Sequence, residues 1–265
     1  SVACIKATPD DADITVGADR SLDFSRAQAK IGAYDLNAIE AARRLADQVG
    51  AEVVGVTVGA AAWENTKLRK DALSRGLDSL VIVTAEADAD TFQTATALAE
   101  AIAGLGECDL VLLGAGSSDR YAQQVGNVLG ALLDRPTLNQ VNAVSFVDGG
   151  IRVERLLEDA EQVLEVQLPA VLSLTSGANV PRIAGMKDIL AAGKKPVSET
   201  GSAPVAATAR TISLLAPEQV DRRRQMREIQ PCTGADDEYA FSCAETEQID
   251  GAPARLLHRG ERADE

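Results

Sequence analysis

The sequence has 265 residues, of which 46% are hydrophobic and 25% are charged, so it is long enough to bury one large core. Its formal net charge of -14 disfavours nucleic acid and anionic membrane surfaces as partners, because binding phosphate groups requires clustered Lys and Arg. The four cysteines show no C-x-x-C spacing, and His258 is the only histidine. A disulfide framework, a zinc site and a Ser-His-Asp triad are therefore disfavoured, and we expect a cytoplasmic protein without a membrane span.

Strands and helices alternate along the first half of the chain. Short apolar segments predict strands at 1–7, 51–59, 78–86 and 108–116. Apolar residues at helical spacing predict helices at 34–50, 64–76, 90–106 and 119–134, with Asp90 as an N-cap and glycines as stops. Strands separated by helices of this length form βαβ units. The pattern predicts an α/β fold with a doubly wound, mostly parallel, Rossmann-like sheet.

The pattern changes in the second half of the chain. The segment "GGIRVERLLEDAEQVLEVQL" predicts a β-hairpin extension around the acidic "EDAE", and a last core strand follows at 170–175. After Pro196 the composition is typical of a linker, and from Arg222 onward charge clusters replace apolar periodicity. We therefore predict one α/β domain over residues 1–197 and a linker with a C-terminal arm over 198–265.

The turn in "LVLLGAGSSDRYAQQVG" is the strongest candidate for a binding site. Its G-x-G-x-x-D pattern lacks the third glycine of the dinucleotide fingerprint, and no Lys follows the glycines, so it is not a P-loop. The backbone N–H groups of the turn and of the helix start could bind a phosphate group. Alternatively, Asp119 is a helix N-cap and the glycines only make a tight turn. Both interpretations stay open at this point.

Four stretches in order resemble the β subunit of electron transfer flavoproteins, especially the FixA-type branch. They are "CIKATPD", "SLDFSRAQAKIGAYDLNAIEAA", "GAGSSDRYAQQVG" and "VERLLEDAEQVLEVQLPAVLS". The resemblance extends from Val2 to Val197 and is poor in the tail. Ala160 departs from the family signature, where an acidic residue or glycine is usual.

The resemblance implies a non-catalytic electron carrier. The β subunit of this family pairs with an α subunit that holds the redox FAD, and the β subunit itself binds AMP or a second FAD. The pair shuttles electrons between flavoprotein dehydrogenases of the acyl-CoA dehydrogenase type and a quinone reductase. We further expect the C-terminal arm, which cannot easily bury itself, to contact the α subunit.

The resemblance also assigns residues to the nucleotide site. The expected contacts lie on four segments: Cys4, Gly32, Ala33, Tyr34, Asp35, Val58, Gly114, Ala115, Gly116, Ser117, Ser118, Asp119, Arg120, Tyr121, Ala122, Gln123, Gln124 and Val125. Tyr34 aligns with an aromatic residue that lies near the flavin of the α subunit, or else it packs at the start of its helix. Many relatives have Asn-Pro in place of Gly32-Ala33, so the choice between AMP and FAD stays open.

The segment "NVPRIAGMKDIL" resembles the family's recognition loop, which anchors the dehydrogenase partner. The resemblance places an exposed apolar anchor at Met186, flanked by Ile183 and Ile189. A flexible Met side chain suits a surface that meets several partners. The alternative is that Met186 is an ordinary core residue at a helix start.

Two other functions stay open on the sequence alone: an adenylating or ATP-hydrolysing enzyme of a related α/β nucleotide-binding group, and a nucleotide sensor without a redox role. The enzyme would need Lys, His or a pair of acidic residues near the turn.

Elsewhere, we expect Trp63 and Phe92 in the core and Lys194 and Lys195 at a solvated helix end.

Overall fold

The computed structural model describes residues 1–85, 89–216 and 244–248. The arm predicted from Arg222 onward, with its arginine cluster, lies outside the described residues except for 244–248. The parts described form a layered α/β structure, in which the alternation predicted from the sequence is present.

Six α-helices are described, besides a short 3-10 helix at Asp11–Asp13: α1 (Ala33–Val49), α2 (Ala60–Trp63), α3 (Thr66–Ser74), α4 (Thr91–Gly104), α5 (Val125–Leu132) and α6 (Met186–Ala192). Two residues predicted to end or to cap a helix do so. Gly50 ends α1 in the left-handed conformation at φ 68°. Asp90 forms a capping box with Gln93 at the start of α4.

The strands fall into one large sheet and three small pairs. They are β1 (Val2–Cys4), β2 (Ala7–Pro9), β3 (Thr15–Val16), β4 (Leu22–Asp23), β5 (Ala29–Ile31), β6 (Val54–Val58), β7 (Ser79–Thr84), β8 (Leu110–Gly114), β9 (Thr137–Val147), β10 (Gly150–Leu156), β11 (Glu161–Val166), β12 (Ala170–Leu174), β13 (Val197–Gly201), β14 (Ala209–Leu214) and β15 (Ala244–Gln248). The large sheet has nine strands in the order β11-β10-β9-β12-β8-β1-β6-β7-β13.

The predicted fold class is confirmed. The strands that follow one another in space as β9-β12-β8-β1-β6-β7-β13 all pair in parallel. Strands β10 and β11, at the other edge of the sheet, form the predicted antiparallel hairpin. Alternate residues of β8 belong to two separate apolar cores: Leu110 and Leu112 to one, Val111 and Leu113 to the other. Helices α1 and α3 contribute to the first core and α4 and α5 to the second, as a doubly wound sheet requires.

The start of α5 differs from the prediction. A helix was expected from residue 119, but α5 begins at Val125. Tyr121 and Gln123 have positive φ angles of 45° and 57°, which a right-handed helix does not accommodate. Residues 119–124 therefore form a loop between β8 and α5, and the proposed N-cap role of Asp119 is wrong.

Two strands of the large sheet were not predicted. The first is β9, in which polar and apolar residues mix and most side chains are only partly buried, so its period-2 pattern is weak. The second is the edge strand β13, which pairs in parallel with β7 although its residues begin the segment predicted as a linker. An edge strand needs apolar residues only where it faces the core. The mostly polar composition of β13 therefore did not indicate a strand.

Single-residue predictions had mixed outcomes. Trp63 is fully buried, as expected, whereas Phe92 is 36% exposed at the first turn of α4 and is not a core residue. Lys194 is exposed as expected. Lys195 is not simply solvated, because its Nζ donates to the carbonyl oxygens of Leu73 (2.9 Å) and Leu77 (2.5 Å) near the C-terminal end of α3.

The packing of α5 on the sheet predicts that Gly130 tolerates no side chain. A Cβ at Gly130 would overlap the Thr137 side chain on β9. We expect Gly130→Ala to lower the free energy of unfolding by about 1–3 kcal/mol, measured by urea denaturation. Gly104→Ala is the control, because an added Cβ there meets no described atom within 4 Å. Equal denaturation midpoints for the two variants would contradict this packing.

Candidate functional site

A cavity of about 470 Å³ opens at the carboxyl ends of β8, β1 and β6. These three strands are neighbours in the sheet, so the ends of the segments assigned to the nucleotide site by the resemblance lie side by side. In doubly wound sheets ligands bind at this edge, where the loops after the strands diverge. The cavity volume lies within the range of small-molecule sites, roughly 300–1,000 Å³.

Most of the residues predicted to bind a nucleotide line this cavity. They are Cys4, Asp35, Val58, Gly114, Ala115, Gly116, Ser117, Asp119, Arg120, Ala122, Gln123, Gln124 and Val125. Gly32, Ala33, Tyr34, Ser118 and Tyr121 are not among the lining residues. The fold thus brings together segments that are more than one hundred residues apart in the chain.

The carboxylate of Asp35 joins two of the strand ends. Its Oδ2 accepts a hydrogen bond from the backbone N–H of Lys6 (2.8 Å), and its Oδ1 accepts one from the N–H of Gly114 (3.1 Å). Burial raises the pKa of Asp35 to about 7, although the two N–H donors favour the charged form. Asp35 therefore anchors the first turn of α1 to the ends of β1 and β8.

The two glycines of the turn have different neighbours. A Cβ at Gly114 would lie 2.6 Å from Asp35 Oδ1 and 2.6 Å from Tyr34 Cβ, so Gly114 is needed for the close approach of α1. A Cβ at Gly116 would overlap the ring of Tyr121. The Tyr121 ring in turn lies 5.6 Å from that of Tyr34, and their hydroxyls are 3.3 Å apart. The glycines thus serve protein packing in the first place.

A cation reaches the turn from the segment between β1 and β2. Lys6 Nζ lies 2.6 Å from Asp119 Oδ2 and 3.5 Å from Ser117 Oγ. Burial alone would raise the pKa of Asp119, but the Lys6 ammonium outweighs it and holds this pKa below its usual range. Sequence spacing could not reveal this pair, because the two residues are 113 positions apart.

Some backbone donors of the turn are already used by the protein, and others are not. Gly114 N–H is bound by Asp35, and Ala115 N–H donates to the Leu174 carbonyl (2.7 Å). The N–H groups of Gly116 and of Gln123 have no acceptor among the residues described. Gln123 has a positive φ and precedes the N-terminus of α5, whose first N–H groups lack intrahelical acceptors. Such a loop and helix start favour an anionic ligand group.

The opposite wall of the cavity was missed by the sequence analysis. It is formed by residues after β6 and before or within α4: Gly59, Ala61, Ala62, Trp63, Ala85, Ala89, Asp90, Thr91, Thr94 and Leu98. Asp90 had been predicted only as an N-cap. Apart from that cap and the strand end before it, nothing in the sequence marks this wall, which is mostly small and apolar.

A second candidate surface lies away from the cavity, at residues 180–190. Its exposed apolar side chains are Val180, Ile183, Met186, Ile189 and Leu190, which we call the apolar patch. Met186 is 73% exposed and Ile183 92% exposed, so the alternative that Met186 is a core residue is wrong. Several exposed apolar side chains in one short segment are typical of an interaction surface.

Polar contacts from α1 hold the segment that carries the patch. Asn37 Nδ2 donates to the Asn179 carbonyl (2.7 Å), and Asn179 Nδ2 donates to the Asn37 carbonyl (2.9 Å). The buried Glu40 accepts from Arg44 Nε (2.5 Å) and Arg182 Nε (2.7 Å). Burial would raise the pKa of Glu40, but the two guanidinium groups bring it below its usual range.

The family of the chain follows from a comparison with known proteins. The family model of the electron transfer flavoprotein domain matches residues 21–205, which is well over half of the sequence. The chain belongs to the electron transfer flavoprotein family.

The region matched to the electron transfer flavoprotein domain contains most of the cavity lining and the whole apolar patch. It includes Asp35, the turn after β8 and the apolar patch, whereas Cys4 and Lys6 of the cavity precede it. Cys4 is a free, buried thiol, and burial raises its pKa. Within the residues that the structure describes, no helix has the length and apolar character needed to cross a bilayer.

The buried Asp35 of this flavoprotein-family chain predicts a pH dependence of stability. Its pKa is about 7 in the folded chain and 3.8 for an ordinary carboxyl group, so the native state holds the proton more tightly. The contribution of Asp35 to the free energy of unfolding therefore falls as pH rises from about 4 to about 7, by up to about 4 kcal/mol. Urea denaturation across this range measures the effect.

Asp35→Asn removes this titration. The variant is expected to be less stable at low pH, because the amide accepts only through its oxygen, but its pH profile between about 4 and 7 is expected to be flatter. Asp109→Asn, at an exposed position before β8, is the matched control and retains the wild-type slope. Parallel profiles for wild type and Asp35→Asn would show that Asp35 does not titrate in this range.

Proposed function

We propose that this chain is the β subunit of a heterodimeric electron transfer flavoprotein of the FixA type and binds an adenine nucleotide in the cavity. The observation that carries the proposal is the cavity itself. It unites the segments of Cys4, Asp35, Val58 and the turn from Gly114, which the resemblance had assigned to one nucleotide site. Family membership supports the same function.

The residues present fit the adenylate group that AMP and FAD share. The N–H groups of Gly116 and Gln123, which have no acceptor within the described part of the chain, and the N-terminus of α5 offer donors for a phosphate. The small apolar residues of the opposite wall leave room for a base. A bound FAD would supply redox chemistry, and AMP would only stabilise the fold. Residues of this chain bind and orient the nucleotide and have no catalytic role in this proposal.

Lys6 favours binding over phosphate hydrolysis. Its ammonium group is paired with Asp119 and also lies near Ser117 Oγ, so it does not stand free beside the turn. An adenylating or ATP-hydrolysing site would need a cation or metal placed on the transferred phosphoryl group. The Lys6–Asp119 ion pair instead fixes the loop between β8 and α5 near the end of β1.

We propose further that a flavoprotein dehydrogenase docks on the apolar patch. The dehydrogenase transfers electrons to the α-subunit FAD, which delivers them to a quinone reductase. Met186 is the exposed anchor, flanked by Ile183 and Ile189. Asn37 of α1 donates to the Asn179 carbonyl and Glu40 of α1 accepts from Arg182, so the segment is held in place before a partner arrives. A preorganised segment loses less conformational entropy on binding.

The nucleotide is tested by acid extraction. The protein is purified alone or with a copurifying partner, extracted with acid, and the released compounds are identified by chromatography and mass. We expect an adenine nucleotide at about one per chain. Flavin counted per heterodimer then separates the two cases, because a second flavin means FAD in this subunit and a single flavin means AMP.

Gly116→Val tests whether the nucleotide lies at the turn. Its side chain displaces the Tyr121 ring and disturbs the backbone donors, so the retained nucleotide should fall at least about tenfold, the equivalent of roughly 1.4 kcal/mol. Gly201→Val is the matched control, since it lies at the exposed end of β13, where an added Cβ meets no described atom within 4 Å. A folded wild-type protein without any adenine nucleotide would refute the proposal.

Met186→Ala tests the apolar patch. Loss of an exposed apolar anchor is expected to weaken dehydrogenase docking by about 1–3 kcal/mol, visible as slower reduction of the flavin by the dehydrogenase. Heterodimer assembly and flavin content should be unchanged. Val49→Ala, an exposed apolar position at the end of α1, should leave the rate unchanged. Equal rates for Met186→Ala and wild type would exclude Met186 as the anchor.

A further inference from the structure

The charged side chains that line the cavity are not balanced for an anionic ligand. They are Lys6, Asp35, Asp90, Asp119 and Arg120. Three of them are carboxylic acids and two are cations, whereas the proposed ligand carries a phosphate group. Like charges at close range repel, so the way in which each carboxylate is compensated decides whether an anion can bind.

Two of the three carboxylates lie outside the loop between β8 and α5. Asp35, on α1, accepts hydrogen bonds from two backbone N–H groups, and burial raises its pKa to about 7, so that its negative charge is partial near neutral pH. Asp90 belongs to the opposite wall, where its oxygens accept hydrogen bonds from backbone N–H groups and a hydroxyl. Neither carboxylate is part of the turn that offers donors to a phosphate.

Asp119 is the carboxylate within that turn. It lies in the chain between Gly116 and Gln123, whose N–H groups have no acceptor in the described part of the chain, and all three residues line the cavity. The Asp119 side chain is 24% exposed, so its charge is not shut away from the cavity. An uncompensated carboxylate at this position would oppose the binding of a phosphate to the neighbouring N–H groups.

Lys6 compensates the charge of Asp119. Its Nζ lies 2.7 Å from Asp119 Oδ1 and 2.6 Å from Oδ2, so the ammonium group faces both oxygens. The Lys6 side chain is 43% exposed and lines the cavity beside Asp119. Arg120, the other cation of the lining, forms no ion pair with Asp119 within the ranges that the structure describes. Lys6 is therefore the residue that removes the negative charge from the turn.

We propose that Lys6 neutralises the Asp119 carboxylate and thereby enables the turn after β8 to accept a phosphate group. This inference rests on the proposed function, that an adenine nucleotide occupies the cavity. It makes Lys6 a residue that determines which ligand charge the cavity admits, and it assigns this effect to the pairing with Asp119 rather than to a contact between Lys6 and the ligand.

Lys6→Met tests this role with two ligands that differ in charge. The full chain, alone or with its copurifying partner, is freed of bound nucleotide and titrated with AMP and with adenosine by calorimetry or equilibrium dialysis. The Kd for AMP is expected to rise by about 10- to 100-fold, because Asp119 then repels the phosphate. The Kd for adenosine, which has no phosphate, is expected to change by less than about twofold.

Two further lysine variants serve as controls. Lys6→Arg keeps the positive charge and is expected to bind AMP within about threefold of wild type. Lys30 is likewise paired with aspartates, Asp10 and Asp11, but it does not line the cavity. Lys30→Met is therefore expected to leave the Kd for AMP unchanged.

Removing the carboxylate as well distinguishes compensation of charge from a structural role of the ion pair. In Lys6→Met/Asp119→Asn the repelling charge is absent, so AMP affinity is expected to return to within about threefold of wild type. If Lys6 only held the loop in place or contacted the phosphate itself, the double variant would bind AMP no better than Lys6→Met. The deficit of Lys6→Met should also shrink as salt is added, because salt screens repulsion but does not repair a displaced loop.

The outcomes separate this inference from the proposed function. If wild type binds AMP but Lys6→Met does so equally well, weakens adenosine to the same extent, or is not rescued by Asp119→Asn, the role of Lys6 is refuted and the nucleotide site stands. If wild type binds neither AMP nor FAD, the proposed function fails and this inference fails with it.

Asp119→Asn alone decides the question should Lys6→Met not fold. It frees the ammonium group of Lys6 from its partner, so AMP is expected to bind about 3- to 10-fold more tightly than to wild type. A pair that serves only to hold the loop predicts the opposite, weaker binding of AMP and adenosine alike.

Discussion

The carboxylate of Asp35 is the contact on which the candidate site depends. A single side chain from the first turn of α1 accepts hydrogen bonds from the backbone at the ends of β1 and β8, and this fixes both strand ends at the edge of the cavity. Burying a carboxylate is unfavourable, which is why the pKa of Asp35 rises to about 7. Since Asp35 occupies the N–H of Gly114, a ligand has to use donors further along the turn. The same contact thus builds the cavity and limits which backbone groups can bind.

Helix α1 contacts both candidate surfaces. Its first turn carries Asp35 at the cavity, and Asn37 and Glu40, two and five residues later, hold the segment of the apolar patch. The buried Glu40 is paired with two guanidinium groups, and removing both would leave its buried charge uncompensated. A shift of α1 would therefore disturb the cavity and the patch together. The positions of the cavity and the apolar patch are therefore coupled through one rigid helix.

The two walls of the cavity differ in chemistry. The wall after β8 offers backbone N–H groups, the α5 N-terminus and the Lys6–Asp119 pair, whereas the wall after β6 is made mostly of small residues, four of them alanines. A ligand that suits both walls is anionic at one end and flat and largely apolar at the other. A nucleotide has these properties, and an inorganic anion or a purely apolar ligand does not.

The sequence alone determined the α/β class, most helices and central strands and the hairpin, because local periodicity and capping residues such as Asp90 and Gly50 encode them. It did not determine that α5 starts at Val125, since that depends on backbone angles in the loop. Nor could it reveal the Lys6–Asp119 pair, the two hydrogen bonds of Asp35 or the wall of Trp63. These contacts join residues far apart in the chain, and only the packing of the helices on the sheet brings them within reach of one another.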